Sequence, residues 1–291
     1  MILITGATGN IGVELVRKLS TAGHTVRAFI RSRRHAKKIT LPGVEFAEGD
    51  FTEPKTFPPS LVSIDRLFLL IPSSAEVEQQ QLNFVDAAKR SGVRHIVKLS
   101  QFDADENAPG RFQRYHGAVE KYILKSGIPY TFLRPNLFMQ GLLTLKSTIS
   151  WQGAFYAPAG NAKVSLVDVR DIASVAAKVL TEQGHQGKTY DITGPEALTH
   201  AEMADHLSKA VGKTIHFVDI PPEAMKQALL ASGMPRWQTD GVVEDYEHYR
   251  HGEAATVSST VRDLTGTEPI SFRRFVKDHA REFQSHAAST A

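Results

Sequence analysis

Three glycines spaced three apart, in Gly6-Ala7-Thr8-Gly9-Asn10-Ile11-Gly12, sit between the apolar run Met1-Ile2-Leu3-Ile4 and an amphipathic stretch. A glycine-rich turn from strand to helix lets the backbone approach a pyrophosphate, and the helix start offers unpaired N–H groups and the positive end of its dipole. Gly6, Ala7, Thr8, Gly9, Asn10, Ile11 and Gly12 are therefore candidate phosphate-binding residues. The spacing is G-x-x-G-x-x-G rather than G-x-G-x-x-G. No Lys-Ser or Lys-Thr follows the last glycine, which argues against a nucleoside triphosphate loop. The expected ligand is a dinucleotide.

Which dinucleotide depends on the end of the second strand. An NAD-specific fold places Asp or Glu there, about 20 residues after the turn, to hold the ribose 2′-OH. Here the position carries Arg31. A carboxylate would repel a 2′-phosphate, whereas a guanidinium grips it with a fork of donors. NADP(H) is thus expected, with NAD(H) disfavoured. Arg33, Arg34, Lys37 and Lys38 follow closely, and the two lysines read as a solvated face. Ile71-Pro72 and Ser100 end the fourth and fifth strands, where open α/β sheets bind ligands.

The elements that must position these residues alternate. Strands are expected at Ile2–Thr5, Thr25–Ile30, Val44–Ala47, Arg66–Ile71, His95–Leu99 and Tyr130–Leu133, with helices from Ile11, Glu76 and Phe112. That order specifies an α/β fold, a Rossmann-like doubly wound parallel sheet. Gly12, Leu15, Val16 and Leu19 make one buried stripe on the first helix. After Pro135 the rhythm becomes mixed. Phe155–Ala157 and Val164–Val167 read as extended, and a helix is expected from Asp168 to Leu180. Further helices start at Thr199, where Thr199-His200-Ala201-Glu202 is a capping box, and at Ser271. The chain is read as a dinucleotide-binding core over residues 1–135. A smaller, mixed substrate lobe over residues 136–291 is interwoven with it, the Asp168 helix returning to the core.

Composition narrows the function classes. The chain has 291 residues, 42% hydrophobic and 22% charged, a net charge of +3 and no cysteine. The absence of cysteine removes disulfides, thiolate metal sites and cysteine nucleophiles. The charge is far from the footprint of a nucleic-acid binder, and the basic run lacks interleaved aromatics. The longest apolar run, Leu67-Phe68-Leu69-Leu70-Ile71, is strand-sized, so neither a membrane partner nor a secretory leader is expected and the protein is placed in the cytoplasm. The 12 histidines show no metal-ligand spacing, so no metal is expected. The oligomeric state is not legible.

Gly6–Gly12, Glu48-Gly49-Asp50, Val93-Arg94-His95-Ile96-Val97, Gly127-Ile128-Pro129-Tyr130-Thr131-Phe132-Leu133-Arg134-Pro135-Asn136 and Val167-Asp168-Val169-Arg170-Asp171-Ile172-Ala173 together resemble the NmrA-like atypical short-chain dehydrogenase/reductases. The likeness runs nearly to the end, through Val261-Arg262-Asp263-Leu264-Thr265-Gly266 and Phe272-Arg273-Arg274-Phe275. It implies an NADPH-dependent oxidoreductase of the branch holding type-2 quinone oxidoreductases, triphenylmethane reductases and azoreductase-like proteins. Hydride would pass to a small-molecule electron acceptor, quinone-like, azo or otherwise conjugated. The alternative within the family is a redox sensor that binds NAD(P) without turnover. The resemblance also puts Asp50 by the adenine and Asn136 beside the nicotinamide.

Ordinary short-chain dehydrogenases use Tyr-x-x-x-Lys, the lysine lowering the tyrosine pKa for proton transfer. In Arg114-Tyr115-His116-Gly117-Ala118-Val119-Glu120-Lys121, Tyr115 meets Val119 and Lys121 meets Gly117, so that relay is missing. His116 and Glu120 lie four apart instead, similar to a His-x-x-x-Glu pattern of the quinone-reductase branch. The pair is read either as catalytic, Glu120 orienting His116 as proton donor, or as a helix-stabilising pair. Asp168 and Asp171 are read as helix caps. Trp151, Phe155, Trp237, Tyr246 and Tyr249 are candidate walls of an aromatic acceptor pocket, with most of them expected in the core.

Overall fold

The computed structural model describes residues 1–284. In chain order the elements are β1 (Ile2–Ile4), α1 (Asn10–Thr21), β2 (Val26–Ile30), β3 (Val44–Glu48), α2 (Phe57–Leu61), β4 (Arg66–Leu69), α3 (Val77–Arg90), β5 (His95–Leu99), α4 (Arg111–Ser126) and β6 (Tyr130–Pro135). There follow α5 (Lys146–Gln152), β7 (Ala154–Ala157), β8 (Lys163–Val164), α6 (Val169–Thr181), β9 (Lys188–Ile192), β10 (Leu198–Thr199), α7 (His200–Val211), β11 (His216–Asp219), α8 (Pro222–Ala231), α9 (Arg236–Arg250), α10 (Thr260–Thr265) and α11 (Phe272–Asp278). No described helix is long and apolar enough to cross a membrane.

The chain divides into two compact units. One holds Met1–Pro135, Val169–Ile192 and Thr260–Thr267; the other holds Asn136–Asp168, Thr193–Ser259 and the described residues from Glu268 onward. In the first unit seven strands form one parallel sheet in the order β3-β2-β1-β4-β5-β6-β9. The order runs outward from β1 in both directions, and right-handed crossovers then place successive helices on opposite faces. Accordingly α1 packs with α6, which also carries α10, while α3 packs with α2 and α4. The stripe read on α1 is buried, with Leu15, Val16 and Leu19 at 1% exposure or less. On the other side Phe29, Phe57 and Phe84 join Phe51 in a cluster of tilted and edge-to-face rings, centroids 4.8–6.3 Å apart.

β9 is the strand of this sheet that the periodicity does not announce. Lys188-Thr189-Tyr190-Asp191-Ile192 pairs only with β6, and only Ile192 in it is buried. An edge strand with one covered residue carries no apolar alternation to read.

The second unit contains two small ladders, β7 parallel to β11 and β8 antiparallel to β10. Its core gathers Met139, Ile149, Phe155, Met203, Leu207, Phe272 and Phe275. The capping box of α7 is made in full: Thr199 Oγ1 accepts from Glu202 N and the Glu202 carboxylate accepts from Thr199 N. The long helices α8 and α9, with no fully buried stripe, extend a stretch in which only aromatics drew attention in the sequence.

Candidate functional site

The glycine turn is built by contacts that a side chain would break. Thr5, at the end of β1, bonds the backbone of Phe68 and Leu70 through its hydroxyl, which locks the turn against the end of β4. Gly6 then takes φ +61°, and a Cβ there would lie 2.8 Å from Leu70 Cγ. Gly9 N donates to Gly6 O at 3.0 Å, closing the turn. A Cβ on Gly12 would lie 2.1 Å from Gly6 O and 2.6 Å from Ala7 Cα, so only glycine lets α1 start this close to the turn. Gly9 caps α1 with no side-chain bond, and no acidic residue occupies the first turn. Thr8, Gly9 and Asn10 are exposed, Ala7 and Ile11 buried. The first-turn N–H groups of Asn10, Ile11 and Gly12 have no intrahelical partner and suit an anion.

At the carboxyl ends of β2 and β3 the chain sets a charge pair. Arg31 Nε lies 3.1 Å from Asp50 Oδ2, with the arginine side chain 79% exposed. Asp50 Oδ1 accepts from Thr52 N and Thr52 Oγ1, each at 2.9 Å. The Thr52 backbone N–H, its hydroxyl and the Arg31 charge hold the Asp50 carboxyl below its ordinary pKa. Arg33 turns away to Glu48 at 3.4 Å and lies over the Phe46 ring. Lys37 and Lys38 are exposed. Of the basic run, Arg31 is thus the member held at the strand end beside Asp50.

Ile71 and Pro72 follow the carboxyl end of β4, and Ser100 follows that of β5. Ile71 is buried, Pro72 exposed, and Ser100 continues the β5 ladder by donating its N–H to Leu133 O at 2.7 Å. The buried Ser100 Oγ has no hydrogen-bond partner, and neither has Ser74 Oγ beyond β4. Orphaned hydroxyls at the carboxyl edge, a turn that excludes Cβ atoms, an uncapped helix start and Arg31 together fit a dinucleotide phosphate ligand.

The β5–α4 layer corrects the expected His116–Glu120 pair. Glu120 is engaged by Arg134 of β6, which donates Nε to Oε1 at 3.1 Å and Nη2 to Oε2 at 2.5 Å. His116 Nδ1 instead lies 2.6 Å from Nζ of Lys98 on β5. The reason is positional. Glu120 sits one turn further along α4, over β6, whereas His116 overlies the fully buried Lys98, whose Nζ also donates to Leu99 O at 3.1 Å. Burial, partly offset by the Glu120 charge, lowers the Lys98 pKa to about 7. Desolvation, with the Lys98 and Arg134 charges, holds His116 well below its ordinary value, so its ring is neutral. Tyr115, without its lysine, shares a hydrogen bond with Ser73 at 3.0 Å.

Lys98 was missed by sequence reasoning. The only signal was a lysine at the fourth position of an otherwise apolar strand, His95-Ile96-Val97-Lys98-Leu99. A charge in a central parallel strand, covered on both faces, requires a partner.

In the second unit Asn136 is occupied. Its Nδ2 donates to Ser165 Oγ at 2.8 Å and Ala254 O at 2.9 Å, and its Oδ1 accepts from Leu137 N at 2.8 Å. Both amide hydrogens are spent, so the side chain fixes the local backbone and has no donor left for a nicotinamide. The aromatics divide. Phe155, Tyr246 and Tyr249 are part of a packed group with Phe217 and His200, Trp237 on α9 is half-buried, and Trp151 is 76% exposed. Asp168 and Asp171 are buried, directly before α6 and in its first turn. Among the described residues no three His, Asp or Glu are grouped to hold a metal ion.

The chain is similar over its whole length to known reductases. It is 38% identical to an NAD(P)H azoreductase of Xenophilus azovorans over 97% of this chain and 99% of that protein. It is 30% identical to quinone oxidoreductase 2 of Escherichia coli over 91% and 94%. Among solved structures, the NADPH complex of the NADPH-dependent quinone oxidoreductase of Escherichia coli superposes with a TM-score of 0.87 at 27% identity, covering 96% of this chain and 99% of that one. The NADP(H) complex of Citrobacter triphenylmethane reductase gives 0.84 at 28%, covering 96% and 100%. The pattern that defines the NmrA-like family matches residues 1–262, and with relatives aligned end to end the chain belongs to that family.

Proposed function

We propose that this protein is an NADPH-dependent reductase that delivers hydride to a quinone-like, azo or other conjugated acceptor. The observation that carries the reading is end-to-end likeness to reductases that use NAD(P)H, in a chain whose glycine turn has no room for a Cβ at Gly6 or Gly12 and whose Arg31 is held beside Asp50. When bound, the dinucleotide supplies the hydride.

The chain's residues do the rest. The Gly6–Gly12 backbone and the α1 N-terminus take the pyrophosphate, Arg31 the 2′-phosphate, and Asp50 sits toward the adenine. Ile71, Pro72 and the orphaned Ser100 hydroxyl border the ligand along the sheet edge, and His116 supplies the proton. The missing Tyr-x-x-x-Lys relay suits such acceptors, because an electron-poor conjugated system accepts hydride without strong polarisation of a carbonyl oxygen.

The test is a titration of NADPH and NADH binding by fluorescence, followed by an oxidation screen over small quinones, azo dyes and triphenylmethane dyes. Saturable NADPH oxidation with at least one acceptor is expected. NADPH that binds yet survives every acceptor would replace the reductase with a nucleotide sensor.

A further inference from the structure

Lys98 is the most deeply buried cation in the first unit that no phosphate contact or ion pair uses. Its side chain is fully covered, and its Nζ bonds to Leu99 O and to His116 Nδ1, the latter at 2.6 Å. The charged groups facing it are Glu120 from α4 and Arg134 from β6, and those two neutralise each other in a two-point ion pair. The ammonium is therefore not held there by a carboxylate of its own. A buried lysine without one is costly unless its protons are used.

Two further observations give the position meaning. By strand alternation Lys98 faces the same side of the sheet as Ser100, whose buried hydroxyl has no partner at the carboxyl edge. His116 Nε2 makes no hydrogen bond among the described residues. Lys98 is the penultimate residue of β5 and His116 lies in the second turn of α4, the helix that follows the carboxyl end of that strand, where ligands of open α/β sheets bind.

We propose that Lys98 positions His116 and supplies its proton: the Lys98 ammonium donates to Nδ1, which leaves the ring hydrogen on Nε2 and makes His116 a donor toward the acceptor. This rests on the reductase reading above. An acceptor that has gained a hydride from NADPH is one proton short at its oxygen or nitrogen. The His116 Nε2–H bond breaks as the new O–H or N–H bond forms. In the same step a Lys98 Nζ–H bond breaks and an Nδ1–H bond forms, so that Lys98 ends as a neutral amine beside a neutral imidazole. The pair resets when Nε2 takes a proton from solvent and Nδ1 returns its own to Nζ. No step requires a charged imidazolium, which the desolvated ring disfavours. A Lys98 pKa of about 7 suits proton transfer near neutral pH.

The test uses the full chain labelled with ¹⁵N-histidine and without nucleotide. At pH 6 two-bond ¹⁵N–¹H correlation should show His116 bare at Nδ1 and protonated at Nε2. Raising the pH to 9 should shift both ring nitrogens with a midpoint near 7 as Lys98 discharges. In Lys98→Met that step should vanish, while Lys98→Arg, which keeps a donor, should retain the Nε2–H tautomer. With a small quinone, kcat of the unmodified enzyme should fall as pH rises through the same midpoint. Lys98→Met should lose that dependence and at least ~10-fold in kcat with NADPH affinity unchanged. A proton on Nδ1 at pH 6, or the same histidine titration in Lys98→Met, would overturn the proposal; the unmodified protein decides the first point even if the variant fails to fold. The expected tautomer and titration in a protein that oxidises no NADPH would overturn the reductase reading and leave the Lys98–His116 assignment standing.

Discussion

Arg31 Nε lies 3.1 Å from Asp50 Oδ2, which turns one edge of an otherwise exposed guanidinium toward the sheet and leaves its remaining donors to solvent. The carboxylate thus orients the arginine while Thr52 occupies the other carboxylate oxygen. Free NADPH should bind more tightly than NADH. Arg31→Asp should weaken NADPH by about 2 kcal/mol or more, since it replaces a charge-assisted contact with repulsion, and should leave NADH nearly unchanged. Fluorescence titration of both nucleotides checks this, and equal affinities in the unmodified protein would sink it.

Gly12 is where the turn has least room. An alanine Cβ there would sit 2.1 Å from Gly6 O, so α1 has to move away from the turn. Gly12→Ala should cost ~1–3 kcal/mol of stability by overpacking. It should also weaken NADPH at least ~10-fold, because the displaced first-turn N–H groups lose their aim. Gly141→Ala is the control, since a Cβ there meets nothing within 4 Å. Its stability should stay within about 0.5 kcal/mol. Comparable losses in the two variants would refute the close-approach argument.

These two predictions concern residues that were legible in the sequence, and for a common reason. The glycine turn, Arg31 and the α1 stripe lie within one local β-α-β segment, where spacing alone fixes geometry. The Lys98–His116 pair joins a strand and a helix 18 residues apart. Glu120–Arg134 joins α4 to the next strand, and no i, i+4 rule could tell that Arg134 would outcompete His116. The bonding of Asn136 was hidden for the same reason: its partners, Ser165 and Ala254, are brought to it only by the second unit's tertiary structure. β9 stayed hidden because an edge strand need not alternate.

Glu120 is 6% exposed and holds Arg134 at two points. Removing its charge leaves a half-buried guanidinium with only the longer-range attraction of Asp103 and Asp191. Glu120→Gln should therefore destabilise the protein by ~3 kcal/mol, at the lower end for a broken buried pair because those two carboxylates remain. Urea unfolding reads the loss. NADPH affinity should be unchanged. A variant with unchanged stability but much reduced kcat would instead return Glu120 to the chemistry.

Acid should unfold this protein through histidines that fold in the neutral form. His200 is buried against Phe155, Phe217 and Tyr246, its Nδ1 has no partner, and burial lowers its pKa from 6.5 to about 4. His95 is similar. Thr131 Oγ1 spends its hydrogen on His185 O, so it accepts from His95 Nε2, leaving Nδ1 bare and buried; burial again lowers the pKa to about 4. The folded pKa lies below the unfolded one at both sites. Between pH 6.5 and 4 the unfolded chain therefore binds protons that the folded chain refuses. Stability is fully present above pH 6.5 and falls as pH drops through the window, by roughly 3 kcal/mol for His200. His200→Phe, which adds a ring to an aromatic group and removes the titration, should lose less stability than the unmodified protein between pH 7 and 4.5. Urea unfolding at the two pH values measures the difference, and equal losses in both proteins would show that His200 does not drive the acid response.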